Sequence, residues 1–441
     1  MSDSIREAAL RLRSAIALGL ACLAAGCAGP ERPEPSDFVD ATLALLAEGD
    51  IETAASRIEL GRRVYPQDGA IAACSATVAD LLWRDDVAIT ELREVVNSEG
   101  RAGWSLAVAR GRLGDQLFVA GRYGEALVPL LAGSVEDDAV RRRALVAVAR
   151  ELPFRRKQIG PLATEQKLLD GELTEFLCAV GDLRRPFAID TGSSITTVSR
   201  SLAMAVSARA IVEAGSVPDG TGQPVPISLG VIDQFAVGDV WLGTVPVAII
   251  EDERLSMRDL FGGPDRVPVG ILGLDILTQF RMTLDPVRGS VLLELPRGLP
   301  EASSIQCVRS GGRCLLPVVI EGQRMWFVLD TGASHSSLTA AGLETLDGGV
   351  QRASPSFRRV RTAGGRSLSV RQVRNLVLRV SQTRFPGVDL PVVPRLVDSL
   401  FPVHGVLGVD LLRNCRLTLD KGRARLEIVQ PLAQPFGRGN D

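Results

Sequence analysis

Short apolar runs that end in the same polar turn occur twice along this chain. Pro186-Phe187-Ala188-Ile189 leads into Asp190-Thr191-Gly192-Ser193-Ser194, and Trp326-Phe327-Val328-Leu329 leads into Asp330-Thr331-Gly332-Ala333-Ser334. An apolar-apolar-Gly segment follows each turn, Ile271-Leu272-Gly273-Leu274-Asp275 in the first case and Val406-Leu407-Gly408-Val409-Asp410 in the second. The tails repeat as well, with Phe280-Arg281-Met282-Thr283-Leu284-Asp285 answered by Cys415-Arg416-Leu417-Thr418-Leu419-Asp420. Self-similarity in order and separation predicts a duplicated domain, with halves at 165–297 and 303–431. Residues 37–155 read instead as helices, in which Ala54, Ala88 and Ala126 recur near a tetratricopeptide period.

The paired turns and their companions resemble the retropepsin-like (retroviral-type) aspartic peptidases, as a tandem copy inside one chain. The resemblance implies two all-β acid-protease halves sharing one site. There a water lies between two carboxylates about 3 Å apart, of which only one ionises, because like charges that close repel. Asp190 and Asp330 are then the catalytic pair. Thr191, Gly192 and Ser193 with Thr331, Gly332 and Ala333 support the turns, the threonines bonding across the pseudo-twofold axis. Ser193 offers Asp190 a hydroxyl that Ala333 denies Asp330, and a donor favours the charged carboxylate, so Asp190 is the expected ionised member. Asp275 and Asp410 read as turn or cap acids. Between turn and companion the family places a flap over the substrate. The candidates are Gly220 and Gly222 in the first half and Gly364 and Gly365 in the second, each in a Gly-rich tip that also fits a plain surface turn. The only tyrosines, Tyr65 and Tyr123, lie far upstream, which argues for flaps of the retropepsin type.

The N-terminus has another character. Residues 1–27 carry early arginines, a short apolar stretch and Leu23-Ala24-Ala25-Gly26-Cys27. This predicts a bacterial lipoprotein signal with lipid on Cys27, and residues 28–36 form a Pro-rich tether. Location in the cell envelope follows, with the chain lipid-anchored to a membrane on its periplasmic or outer face. The segment Leu113 to Ala126 resembles a tetratricopeptide repeat closely, whereas the preceding unit has Trp83 where a glycine is expected. Such repeats offer a surface to a protein partner or to the peptidase halves themselves.

Composition agrees. A chain of 441 residues exceeds one core. Fifty basic against 52 acidic residues leave a formal charge of −2 and no reason to expect nucleic acid as partner. Two histidines, His335 and His404, and the absence of zinc-type spacing predict neither metal nor cofactor. Cys307 and Cys314 fit either a hairpin disulfide or buried thiols. The expected function is that of an aspartic endopeptidase, a hydrolase acting on a peptide or protein. The alternative is a non-catalytic envelope lipoprotein that binds partners through its repeats and peptides through its β halves. The short linker Pro296 to Ser304 favours pairing of the halves in cis over a dyad formed between chains.

Overall fold

A computed structural model describes residues 33–98, 105–133, 139–169, 174–218, 224–255, 269–361, 367–393, 401–423 and 425–429. Cys27 and the four candidate flap glycines lie outside the described residues.

The N-terminal region is all-α. Helices α1 (Pro35–Glu48), α2 (Ile51–Val64), α3 (Gly69–Leu81), α4 (Asp85–Asn97), α5 (Leu106–Val119), α6 (Tyr123–Ala132) and α7 (Ala139–Glu151) follow one another. The first begins at Pro35, inside the stretch read as tether, because Glu34 and Asp37 form a reciprocal capping box there. The turns between α1 and α2, α3 and α4, and α5 and α6 all pass through the left-handed region, at Gly49 (φ 79°), Trp83 (φ 60°) and Gly121 (φ 74°). Ala54, Ala88 and Ala126, four residues into the second helix of each pair, are fully buried at 0 % exposure. The middle unit therefore keeps the backbone of its neighbours although tryptophan replaces glycine. A non-glycine residue there costs roughly 1–2 kcal/mol. The Trp83 ring offsets this by joining the core of the β region and receiving the Arg309 guanidinium 5.1 Å from its centroid.

Two β-rich halves of one topology follow. In the first the strand order is Glu175–Val180, Leu183–Ile189, Gly270–Leu272, Thr197–Ser199, Val240–Ile250, Pro224–Val237, Arg209–Pro218. The second repeats it with Arg313–Ile320, Gln323–Leu329, Gly405–Leu407, Ser337–Thr339, Thr383–Val393, Ser367–Val380, Ser354–Arg361, and adds Val308–Ser310 at its edge. Each sheet curls until its first strand meets its sixth, Cys178 opposite Val237 in one and Ile320 opposite Leu378 in the other. A third, six-stranded sheet joins the halves in the order Ala163–Lys167, Ser290–Glu294, Arg281–Asp285, Arg416–Asp420, Arg425–Val429, Ile305–Gln306. At its centre the equivalent residues Thr283 and Thr418 stand opposite each other, their hydroxyls 3.1 Å apart. A local twofold axis passes between them.

The helical region packs on both halves. Residues Ala144, Leu145, Val148 and Ala149 of α7 share a core with Ala214, Leu229 and Val231 of the first half. At the other end Phe38, Leu46 and Ile58 pack with Val308, Leu315 and Trp326 of the second half, and Trp326 Nε1 donates to the Gly49 carbonyl at 3.0 Å. Between these contacts the buried Arg309 bonds Asp80 and Asp85, and Lys421 Nζ reaches Asp85 at 2.6 Å. Cys74, Cys178, Cys307, Cys314 and Cys415 are buried free thiols.

Candidate functional site

The two Asp-Thr-Gly turns are delivered in the same way. Leu183–Ile189 ends at Asp190 and runs parallel to Gly270–Leu272, with Phe187 opposite Gly270. Gln323–Leu329 ends at Asp330 and runs parallel to Gly405–Leu407, with Phe327 opposite Gly405. In both, the phenylalanine ring occupies the space a glycine Cβ would need. The backbone ladder continues into the turns, as Asp190 N donates to Leu272 O and Asp330 N to Leu407 O, each at 3.1 Å.

The threonines tie the turns together. Thr191 Oγ1 donates to Leu329 O at 2.8 Å and accepts from Thr331 N at 3.1 Å. Thr331 Oγ1 donates to Ile189 O at 2.7 Å and accepts from Thr191 N at 3.1 Å. All four partners are buried inside a sheet junction where water does not reach, so each unmade bond would leave a polar group orphaned. The result holds Asp190 and Asp330 face to face. Each carboxyl lies against the opposite glycine, Asp330 beside Gly192 and Asp190 beside Gly332.

Burial raises the proton affinity of both carboxyls, and mutual repulsion adds to it for Asp190. The pair is not symmetric. Gly192 N donates to Asp190 Oδ1 at 2.8 Å, and the Ser193 amide also favours its charge. Asp330 Oδ1 accepts from Gly332 N at 3.0 Å and from Ala333 N at 2.9 Å, and the field of Arg313 also favours its charge. Burial and the neighbouring Asp330 hold the Asp190 proton well above the ordinary carboxylate range. This corrects the expectation drawn from Ser193. Its hydroxyl turns away and donates to the Ile195 carbonyl at 2.8 Å, so it does not serve Asp190.

The companion aspartates brace the turns from behind. Asp275 Oδ1 accepts from Thr196 N and Thr196 Oγ1, both at 2.8 Å, and that hydroxyl accepts from Gly273 N at 3.2 Å. Asp410 Oδ1 accepts from Ser336 N at 2.9 Å and Ser336 Oγ at 2.7 Å, while Gly408 N donates to Ser336 Oγ at 2.9 Å. Burial pushes the Asp275 carboxyl up to about 6 against the pull of Arg156 and Thr196. Gly273 and Gly408 abut backbone atoms of Ile195 and Ala333, leaving no room for a side chain. Thr196 and Ser336 were overlooked in the sequence, though a hydroxyl residue recurs there six positions after each catalytic-turn aspartate.

The candidate flap glycines are bracketed by antiparallel strands. Pro218 pairs with Pro224 in the first half and Arg361 with Ser367 in the second. His335 Nδ1 lies 2.9 Å from the Ser334 hydroxyl, and His404 Nδ1 accepts from Trp326 N at 3.0 Å, a structural role.

Among solved structures the chain is similar to the aspartic proteinase from Irpex lacteus, with 12% sequence identity, a TM-score of 0.37, and coverage of 61% of this chain and 97% of that chain. No curated protein matches it. Residues 177–276, with Asp190 and Gly273, and residues 316–411, with Asp330 and Gly408, each match the aspartyl protease family model, one match for each half.

Proposed function

We propose that the chain is an aspartic endopeptidase whose nucleophile is a water held between Asp190 and Asp330. The observation that carries this reading is the pair of half-buried carboxyls, each set against the glycine of the opposite turn and clamped by the reciprocal threonine bonds. Asp330, ionised, takes a proton from the water as it attacks the scissile carbonyl. Asp190, protonated, donates to the carbonyl oxygen, so the developing oxyanion is neutralised and a tetrahedral gem-diol results. Collapse returns a proton to the leaving nitrogen and breaks the C–N bond. The strands that bracket residues 219–223 and 362–366 support a reading of those segments as substrate-covering flaps. Lipid attachment at Cys27, with the folded body held at an envelope membrane, belongs to the same proposal and rests on the sequence of residues 1–27.

The test is digestion of a peptide library by the soluble chain, compared with Asp190→Asn and Asp330→Asn. Each variant is expected to lose turnover, because one remaining carboxyl cannot serve as base and acid at once. Cleavage at wild-type rates by either variant overturns the dyad.

A further inference from the structure

Among the described residues a cation from the second half, Arg313, interacts with both Asp330 and Asp190. Arg313 begins the strand Arg313–Ile320, which pairs with Gln323–Leu329 so that Leu315 faces Val328 and Leu316 faces Phe327. Two more steps in that register bring Arg313 level with Asp330. The residue is fixed from its other side too. Ser310 faces Arg313 across a two-residue turn made of Gly311 (φ 57°) and Gly312 (φ 72°). Gly312 packs on the side chain of Ser194, where an added Cβ would stand 2.7 Å from the serine Cβ. The hairpin from the second half thus reaches the first active-site turn, and Arg313 lies where the two turns meet.

Arg313 is half-buried, and its charge interacts with both Asp330 and Asp190. Yet among the described residues it has neither a hydrogen bond nor an ion pair of its own. A guanidinium keeps its charge under burial and carries five donors in a planar fork. No Arg313 nitrogen is among the fully buried unpartnered atoms, so its donors stand open to an anion that enters beside the two turns. The dyad's single negative charge would repel an acidic substrate, so a cation at this place changes which peptides can approach.

We propose that Arg313 is a specificity-determining residue that binds a carboxylate of the substrate, an Asp or Glu side chain close to the scissile bond. This rests on the peptidase reading. A carboxylate fits the fork with two parallel N–H···O bonds, whereas the isosteric amides of Asn and Gln present one acceptor and a repelling donor group.

The experiment has two arms. In the first, the soluble chain and its Arg313→Gln and Arg313→Lys variants digest a proteome-derived peptide library, and cleavage sites are read by mass spectrometry. The wild type is expected to enrich Asp and Glu over Asn and Gln at one fixed position near the cut by about tenfold. Arg313→Gln brings that ratio to about one, and Arg313→Lys restores part of it. In the second arm the Asp190→Asn chain, which binds but does not turn over, captures peptides from the same library with and without Arg313→Gln. The same acidic enrichment, and its loss, are expected there. Absence of enrichment in the wild type, or an unchanged ratio in Arg313→Gln, overturns the inference while leaving the peptidase reading intact. If the wild type cleaves nothing, the peptidase reading fails and the capture arm alone decides Arg313. If Arg313→Gln does not fold, the wild-type ratio and its decline in Arg313→Lys decide it.

Discussion

Gly192 lies so close to Asp330 across the local twofold axis that a Cβ built on the glycine would stand 2.5 Å from the Asp330 Cγ. Gly332 and Asp190 repeat the relationship at 2.6 Å. The glycines of the two turns are therefore spacers that set how near the carboxyls come.

Gly192→Ala should push Asp330 out of line with Asp190. A misplacement of about 1 Å costs on the order of a hundredfold in rate, and kcat/KM is expected to fall by at least that. Circular dichroism should show the fold retained. Activity within a few-fold of wild type would mean that the turn relaxes without moving the carboxyls.

Thr191→Val keeps the shape of a buried side chain and deletes two of the four cross-axis bonds. The Leu329 carbonyl and the Thr331 amide would lose their partners, at about 1–3 kcal/mol for each buried orphan. Thr191→Ser should restore most of the loss in a thermal melt. Because the bonds are shared, the penalties of Thr191→Val and Thr331→Val should not add.

Ser193→Ala should leave the pH dependence of turnover where it is, since the hydroxyl serves Ile195 and not the dyad. Loss of that bond should lower stability by about 1 kcal/mol. A shifted acidic limb in the rate profile would show that Ser193 reaches Asp190 after all.

Asp275 makes stability depend on pH in a defined direction. Its carboxyl titrates near 6 in the folded chain and at its ordinary 3.8 when unfolded. Between these values the folded state holds a proton that the unfolded state releases, so stability is full below pH 4 and declines as pH rises through 6. The decline is worth up to about 3 kcal/mol. Asp275→Asn retains an acceptor for Thr196 and carries no charge. The slope measured by urea titration across that window should become shallower, with the remainder contributed by the dyad, whose carboxyls are shifted the same way.

Arg309→Met should remove the cation shared by Asp80 and Asp85, leaving Asp85 with Lys421 and Asp80 to solvent in the junction between the helical region and the second half. Because neither carboxylate is left both buried and unpaired, the cost should fall below the roughly 3–5 kcal/mol of a fully stranded buried charge. Denaturation followed by tryptophan fluorescence should report it, because Trp83 loses the guanidinium that lies over its ring. A double-mutant cycle with Asp85→Asn should recover part of the loss.

The amino-acid sequence by itself determined the duplication, the two aspartate turns and the Gly-containing companions. Their requirements are local: a strand must end in a sharp turn, and only glycine fits where Phe187 and Phe327 cover Gly270 and Gly405. Patterns of that kind stay visible residue by residue. What only the tertiary structure decided depends on residues far apart in the chain. The hydroxyl of Ser193 is near Asp190 in sequence, and the folded turn gives it to the Ile195 carbonyl instead. Arg313 reads in sequence as an ordinary strand-edge cation until the register sets it beside the dyad. Trp83 looks like a decayed repeat until Arg309, more than 200 residues later, is found over its ring. In each case the deciding energy is a buried polar or ionic contact, and no local propensity encodes which partner folding will bring.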